Sequence, residues 1–351
     1  MPNTPWMLYG ANGYTGRQVA EQAVAQGLSP VLAGRNRRAI ASLATQLRCE
    51  YRVFSLKETE PIVEHLAGMT AVLHCAGPFA HTSRPMVEAC LRSHCHYLDI
   101  TGEIDVLEWI AGQHDRAARA RVALLPAVGF DVVPSDCLAA MLGERLPQAT
   151  HLQLAFTAPS RVSPGTARTI FEGLPGGGRV RQDGHIVRVP LAWKSREIPF
   201  RDGPRHAVTV PWGDVATAWH TTGIGNIEVY TTLPAAQTVQ LRRFRPVFWL
   251  LGRWPLRPLL GHMIQRTLAK ATPQRLPPGR ASFWGCVADE QGNSVEATME
   301  TPGGYELTVS AALAAVQRVL DGCVPPGFST PAKAFGPDFV LTLPETDFRW
   351  G

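Results

Sequence analysis

PWMLYGANGYTGRQVAEQAVAQG, residues 5–27, decides how this chain folds. Residues 5–9 are a short apolar run, the pattern of a strand covered on both faces. Gly10, Gly13 and Gly16 follow in the spacing G-x-x-G-x-x-G, and a helical pattern occupies 15–26. Each glycine has a physical task. The first permits a tight turn off the strand, the second lets the backbone approach a pyrophosphate, and the third lets the helix pack close to the sheet. The N–H groups at the helix start then face the phosphates, and the helix dipole favours their charge. The glycine spacing alone is weak, but between a strand and a helix it marks a dinucleotide site. Gly10, Asn12, Gly13, Tyr14, Thr15 and Gly16 are the expected contacts.

The residues that follow support this reading. Apolar runs at 29–33, 51–54, 70–75, 96–100 and 121–126 alternate with helical stretches near 36–48, 58–67, 84–94 and 104–119. Strand, helix, strand at this spacing means parallel crossovers, so residues 1–132 are expected to form a doubly wound Rossmann domain. After Pro134 the pattern changes. A helix is predicted from Ser135, as its N-cap, to about Arg145. Strand-like segments follow at 150–157, 185–189, 206–210 and 226–232, with a glycine loop at 176–178. Residues 280–288 and 294–300 read as a hairpin, and 304–322 as a helix. The expected fold class is α/β: an N-terminal parallel Rossmann sheet, then a second α+β domain over 133–351. The C-terminal segment is placed either there or back on the Rossmann domain.

The end of the second strand discriminates between cofactors. An NAD site carries Asp or Glu there for the ribose hydroxyls. This chain has Ala33-Gly34-Arg35-Asn36-Arg37-Arg38. A carboxylate would repel a 2′-phosphate, whereas a guanidinium binds it with charge-assisted bonds. NADP(H) is therefore expected, with Gly34 and Arg35 as contacts and Arg37 and Arg38 as weaker ones. Ligands of doubly wound sheets lie at the carboxyl ends of the strands. That places Cys75, Ala76, Gly77, Pro78 and Phe79 at the cofactor after the fourth strand, and Gly129 and Phe130 after the sixth. No base stands beside Cys75 in the sequence, so its thiol reads as packing rather than as a nucleophile.

Other chemistries find less support. With 45% hydrophobic and 18% charged residues, the 351-residue chain is an ordinary globular one, long enough for two domains. Its formal charge is +5, with 30 Arg against 4 Lys. No nucleic-acid motif accompanies that balance. The seven cysteines form no C-x-x-C, and the N-terminus shows neither a basic leader nor a cleavage site. Reduced thiols and a cytoplasmic location are expected. No run of 18 apolar residues suggests a membrane span. His94-Cys95-His96, with Cys90 and His81, is no metal site, because adjacent strand positions face opposite ways. The Tyr-x-x-x-Lys pair of short-chain reductases is absent, as are the hydrolase elbow and the phosphate-loop lysine. The stretch 229–288 contains no Asp or Glu and nine basic residues. One reading is a docking surface for an acyl carrier protein or a membrane interface. The other is a pair of Pro-broken helices packing within the second domain.

Taken together, GANGYTG (10–16), AGR (33–35), CAGPF (75–79), YLDITGE (97–103), GFDVVPSD (129–136) and GFSTPAKAFG (327–336) resemble the saccharopine dehydrogenase-like oxidoreductases. Within them the pattern is most similar to the trans-acting enoyl reductase branch. The resemblance is dense over 8–136 and thin over 180–290. It implies a Rossmann domain with NADP(H) at the glycine loop, and a second domain that lines the substrate site. The branch implies hydride delivery to an activated double bond of an acyl thioester. Family members often carry Asp after the third strand, where this chain has Ser55-Leu56. Such a reduction requires a proton donor, and Tyr97, Asp99, Asp131 and Ser135 are the candidates. Tyr97 and Asp99 share a strand face, being two residues apart. A second reading is a C=N oxidoreductase of the saccharopine type, with Arg161, Arg168 and Arg179 for a dicarboxylate. A third is a non-catalytic NADP(H)-binding regulator. The expected partners are a small-molecule or acyl thioester substrate, a carrier protein or membrane surface, and a second copy in a homodimer.

Overall fold

The structure is a computed structural model that describes residues 4–157, 176–246 and 279–351. The chain divides into two compact units. The first contains Met1–Val133 and Tyr305–Pro344, the second Pro134–Gly304 and Glu345–Gly351. The expected span 133–351 is thus split: residues 305–344 cluster with the first unit.

In the first unit β1 (Trp6–Tyr9), α1 (Tyr14–Ala25), β2 (Val31–Gly34), α2 (Arg37–Leu47), β3 (Tyr51–Val53) and α3 (Thr59–Leu66) form one half. The other half is β4 (Ala71–His74), α4 (Phe79–Ser93), β5 (His96–Asp99), α5 (Ile104–Ala111), α6 (His114–Ala120) and β6 (Ala123–Leu125). The strands pair in parallel in the order β6-β5-β4-β1-β2-β3, and Gly327–Phe328 adds an outer strand beside β6. Leu8 pairs with Leu32 on one side and Leu73 on the other. Every residue of β1, β2 and β4 is buried, which is why these strands read as unbroken apolar runs. The direction of crossover reverses between β1 and β4, so the ligand crevice of such a sheet lies outside their carboxyl ends.

Two helices depart from the sequence expectation. The stretch 104–119 is two helices, because Gly112 ends the first. The helix expected from residue 84 starts five residues earlier, at Phe79, and carries Pro85 inside it. Pro85 forgoes one backbone bond there and does not mark the start.

The second unit opens with α7 (Val133–Arg145). The helix starts two residues before Ser135, so Ser135 is not its N-cap. Pro134 fits the first turn, where a helical N–H has no partner to lose. The strands β7 (His151–Phe156), β8 (Gly178–Gln182), β9 (His185–Val189), β10 (Ser195–Phe200) and β11 (Gly203–Thr209) follow. Next come α8 (Asp214–Thr222), β12 (Asn226–Thr232), α9 (Ala235–Arg243), β13 (Arg280–Ala288) and β14 (Ser294–Pro302). Among the described residues they form a mixed sheet in the order β10-β11-β12-β7-β13-β14, closed at one side by Asp347–Trp350. Strands β8 and β10 had no expectation behind them, and Gly178 begins β8 where a loop was expected. Helix α7 lies on the sheet at Gly285, where a Cβ would stand 2.6 Å from Leu142 Cδ1. The opposite face buries Tyr230, Trp284, Ile198 and Phe200.

Candidate active site

The turn after β1 is built from backbone. Gly10 has φ +84°, and a Cβ there would lie 2.9 Å from Ala76 N. Gly10 N and Ala11 N both donate to Ala33 O, at 2.8 and 3.2 Å. A Cβ on Gly16 would lie 2.3 Å from Gly10 O, so the helix can sit this close only on glycine. Asn12 Oδ1 rests against Gly34, where a Cβ would meet it at 3.0 Å. That contact joins the ends of β1 and β2. Helix α1 begins at Tyr14 after Gly13, with no side-chain cap and no acidic residue in its first turn. Its positive end is thereby left for an exogenous anion, and the cradle fits a pyrophosphate.

Arg35, Arg37 and Arg38 are all exposed at the end of β2 and the start of α2. No acid accompanies them in the first turn, whose cap is Asn36, accepting from Ala39 N at 3.1 Å. Cations at a helix N-terminus oppose the dipole, so this clustering costs stability unless an anion binds. Arg35 also faces Tyr9. Burial pushes the Tyr9 phenol up to about 12 against the pull of that guanidinium. Its hydroxyl donates to Phe54 O at 3.1 Å.

The end of β4 is different. His74 is fully buried among the rings of Tyr9, Phe79 and Tyr97, and neither ring nitrogen has a hydrogen-bond partner. Burial lowers its pKa to about 3. The Cys75 thiol is pushed far up by burial and by the charge of Asp99, which removes it as a nucleophile at neutral pH. Ala76 and Pro78 direct their carbonyls at Thr82 Oγ1, which donates to both at 2.8 and 3.1 Å. Phe79 N and Ala80 N donate to the two carboxylate oxygens of Glu103, each at 2.8 Å.

Tyr97 and Asp99 meet as their spacing suggested: the Tyr97 hydroxyl donates to Asp99 Oδ2 at 2.6 Å. Both are fully buried. Asp99 Oδ1 accepts from Thr101 N at 3.0 Å and from Ala127 N at 2.8 Å. Burial raises the carboxyl to about 6, while these three bonds pull the other way. The pair holds the turns after β5 and β6 in register. Asp131 sits in the turn before α7, against Gly102, where a Cβ would lie 2.9 Å from its Oδ2. It is half-buried, and desolvation raises it to about 6. Ser135 belongs to the second unit and donates to Asp214 at 2.8 Å in a buried pair.

Helix Gly304–Leu320 supplies residues that sequence reasoning missed. Tyr305 packs edge-on against Tyr14, ring centroids 4.8 Å apart. Thr308 Oγ1 accepts from Phe130 N at 3.1 Å, beside Gly129. No local signal identifies either contact. Glu103 had a signal in the quoted YLDITGE. Arg242 and Arg245 are engaged with their own unit, donating to Ala192 O at 2.9 Å and Leu191 O at 2.6 Å. Arg161, Arg168 and most of the basic stretch, over 247–278, lie outside the described residues. Among the described residues no group of three or more His, Cys, Asp or Glu could hold a metal, and no helix is long and apolar enough to cross a membrane.

Residues 6–125 match the family described as the saccharopine dehydrogenase NADP binding domain. A probable mitochondrial saccharopine dehydrogenase-like oxidoreductase of Arabidopsis thaliana is 32% identical over 181 residues, which cover 47% of this chain and 37% of that protein. The human saccharopine dehydrogenase-like oxidoreductase is 27% identical over 150 residues, 37% of this chain and 35% of that one. The trans-acting enoyl reductase of Mycobacterium leprae is 32% identical over 138 residues, 37% of this chain and 33% of that one. The matches therefore span about a third of each relative. Apo saccharopine dehydrogenase (L-Glu forming) from Saccharomyces cerevisiae superposes with a TM-score of 0.67 over 99% of this chain and 100% of that chain, at 11% identity. The two share a fold.

Proposed function

We propose that the chain, whose residues 6–125 match the saccharopine dehydrogenase NADP binding domain, is an NADPH-dependent reductase acting on an activated C=C bond of an acyl thioester. The observation that carries the cofactor half is the uncapped start of α1 beside the three exposed arginines that follow β2. The acyl thioester half is supported by the 32% identity over 138 residues to a trans-acting enoyl reductase.

The bound nicotinamide supplies hydride to one carbon of the double bond; the chain must orient it and deliver a proton to the other. Gly10, Gly13 and Gly16 would hold the pyrophosphate, and Arg35 the 2′-phosphate. The loop 75–79 would take the nicotinamide half. Asp131, raised to about 6, keeps a protonated fraction near neutral pH and stands at the carboxyl edge. In the proposed reaction its carboxyl gives the proton to the enolate α-carbon, and water restores it. Hydride and proton add across C=C, leaving a saturated thioester and the oxidised cofactor. In this reading the buried Tyr97–Asp99 pair supports the turns after β5 and β6.

The test is NADPH oxidation by the purified chain with 2-enoyl thioesters, and separately with imines formed from an oxo acid and an amine. Turnover on the thioesters alone, falling as pH rises past about 6 and losing that fall in Asp131→Asn, supports the proposal. Turnover on the imines alone replaces it with the C=N reading. NADPH binding with no oxidation by either panel replaces it with a binding role.

A further inference from the structure

Two helices start from neighbouring strands at the carboxyl edge, α1 after β1 and α4 after β4, and they are finished in opposite ways. Helix α1 has no side-chain cap. Helix α4 follows Pro78, which has no capping side chain either, yet its first two N–H groups are taken by Glu103 at 2.8 Å each. A carboxylate on two helix-start N–H groups makes charge-assisted bonds and satisfies the dipole. Glu103 is itself fixed from below. Its N–H donates to Thr101 Oγ1 at 3.1 Å, Thr101 N donates to Asp99 Oδ1 at 3.0 Å, and Asp99 is locked to Tyr97. The YLDITGE segment is therefore a bracket that runs from β5 to the loop after β4.

That loop matters to the cofactor. Its Ala76 backbone lies so close to Gly10 that a Cβ there would stand 2.9 Å away. Resting on the NADP(H) reading above, the adenosine half with its 2′-phosphate lies toward β2 and Arg35, and the nicotinamide half toward β4. We propose that Glu103 is a positioning residue for the nicotinamide half of the cofactor. Its carboxylate occupies the α4 start, which leaves α1 as the helix end for the pyrophosphate, and it holds loop 75–79 at the distance from Gly10 that the nicotinamide ribose requires. In this role Glu103 acts through the loop backbone that it holds.

The experiment measures dissociation constants of NADPH and of 2′,5′-ADP, which carries only the adenosine half, for wild type, Glu103→Ala and Glu103→Gln. Glu103→Ala should weaken NADPH about tenfold or more, as removal of a charge-assisted bond to the loop predicts. Binding of 2′,5′-ADP should stay within about twofold, which also shows that the domain is folded. Glu103→Gln keeps one acceptor oxygen and should show the same split in smaller measure. Wild-type NADPH affinity in a Glu103→Ala protein that binds 2′,5′-ADP overturns the proposal. So does equal loss of both ligands in both variants, which reduces Glu103 to general scaffolding. Failure of the wild type to bind either ligand overturns the cofactor reading, and the positioning role with it.

Discussion

The turn after β1 and the turn after β5 lie on the same edge of the same sheet and are built on opposite principles. After β1 the chain spends glycines, leaves the helix start without a side-chain cap and gathers arginines nearby. Along β5 and the turn after it the chain spends Tyr97, Asp99, Thr101 and Glu103, each bonded to the next or to backbone. The difference teaches how a binding edge is distinguished from a supporting one. A site that takes an anion leaves its backbone donors unclaimed by side chains, whereas a support satisfies every buried donor from within.

The comparison can be broken most severely at Gly16. Gly16→Ala places a methyl 2.3 Å from Gly10 O, so the loop must move off its phosphate geometry. Losing two charge-assisted bonds at about 1.5–3 kcal/mol each predicts roughly a hundredfold or greater loss of NADPH affinity by fluorescence titration. An affinity within threefold of wild type would remove the glycine turn from the site. The supporting edge is broken at Asp99. Asp99→Ala leaves Thr101 N, Ala127 N and the Tyr97 hydroxyl without their acceptor in a buried place. Denaturant unfolding should show a loss of about 3 kcal/mol or more, because each orphaned buried group costs roughly 1–3 kcal/mol.

Arg35→Ala sharpens the comparison rather than breaking it. One lost bond to a charged phosphate predicts about ten- to a hundredfold weaker NADPH, with NADH nearly unchanged. Equal loss of both cofactors would point to a structural role. The smallest effect is at His74, and only in acid. Its folded pKa is about 3, against roughly 6.5 for an unburied histidine. The neutral ring is the one that folds, so its contribution is complete above about 6.5 and drains away as pH falls toward 3. Relative to His74→Leu, wild type should lose about 2 kcal/mol of stability between pH 7 and pH 5, read from urea midpoints. Parallel pH curves for the two proteins would show that the ring is not buried as described.

Much of the first unit was legible because its signals are local. Apolar runs gave the strands within a residue or two, and the glycine turn and the arginines after β2 stand on the edge where their spacing put them. The pairing of Tyr97 with Asp99 followed from a two-residue strand period. The start of α4 was not legible. Pro85 looks like a first-turn residue, and the contact that sets the true start at Phe79 comes from Glu103, 24 positions away in sequence. Ser135 looked like a cap and is instead the third residue of α7, with its hydroxyl turned to Asp214. The strands β8 and β10 alternate too weakly to stand out: Arg181 is buried inside one of them, bonded to Val215 O at 2.9 Å.

The sequence by itself determined the parallel sheet and the glycine turn at which a dinucleotide is proposed to bind. Both depend on backbone freedom and apolar period within some thirty residues, where chain neighbours are also neighbours in space. Only the tertiary structure decided which helix starts stay open, which carboxylates are buried, and that 305–344 cluster with the first unit. Those depend on partners such as Thr308 and Phe130, 178 residues apart, and no local pattern encodes which distant group will satisfy a buried donor.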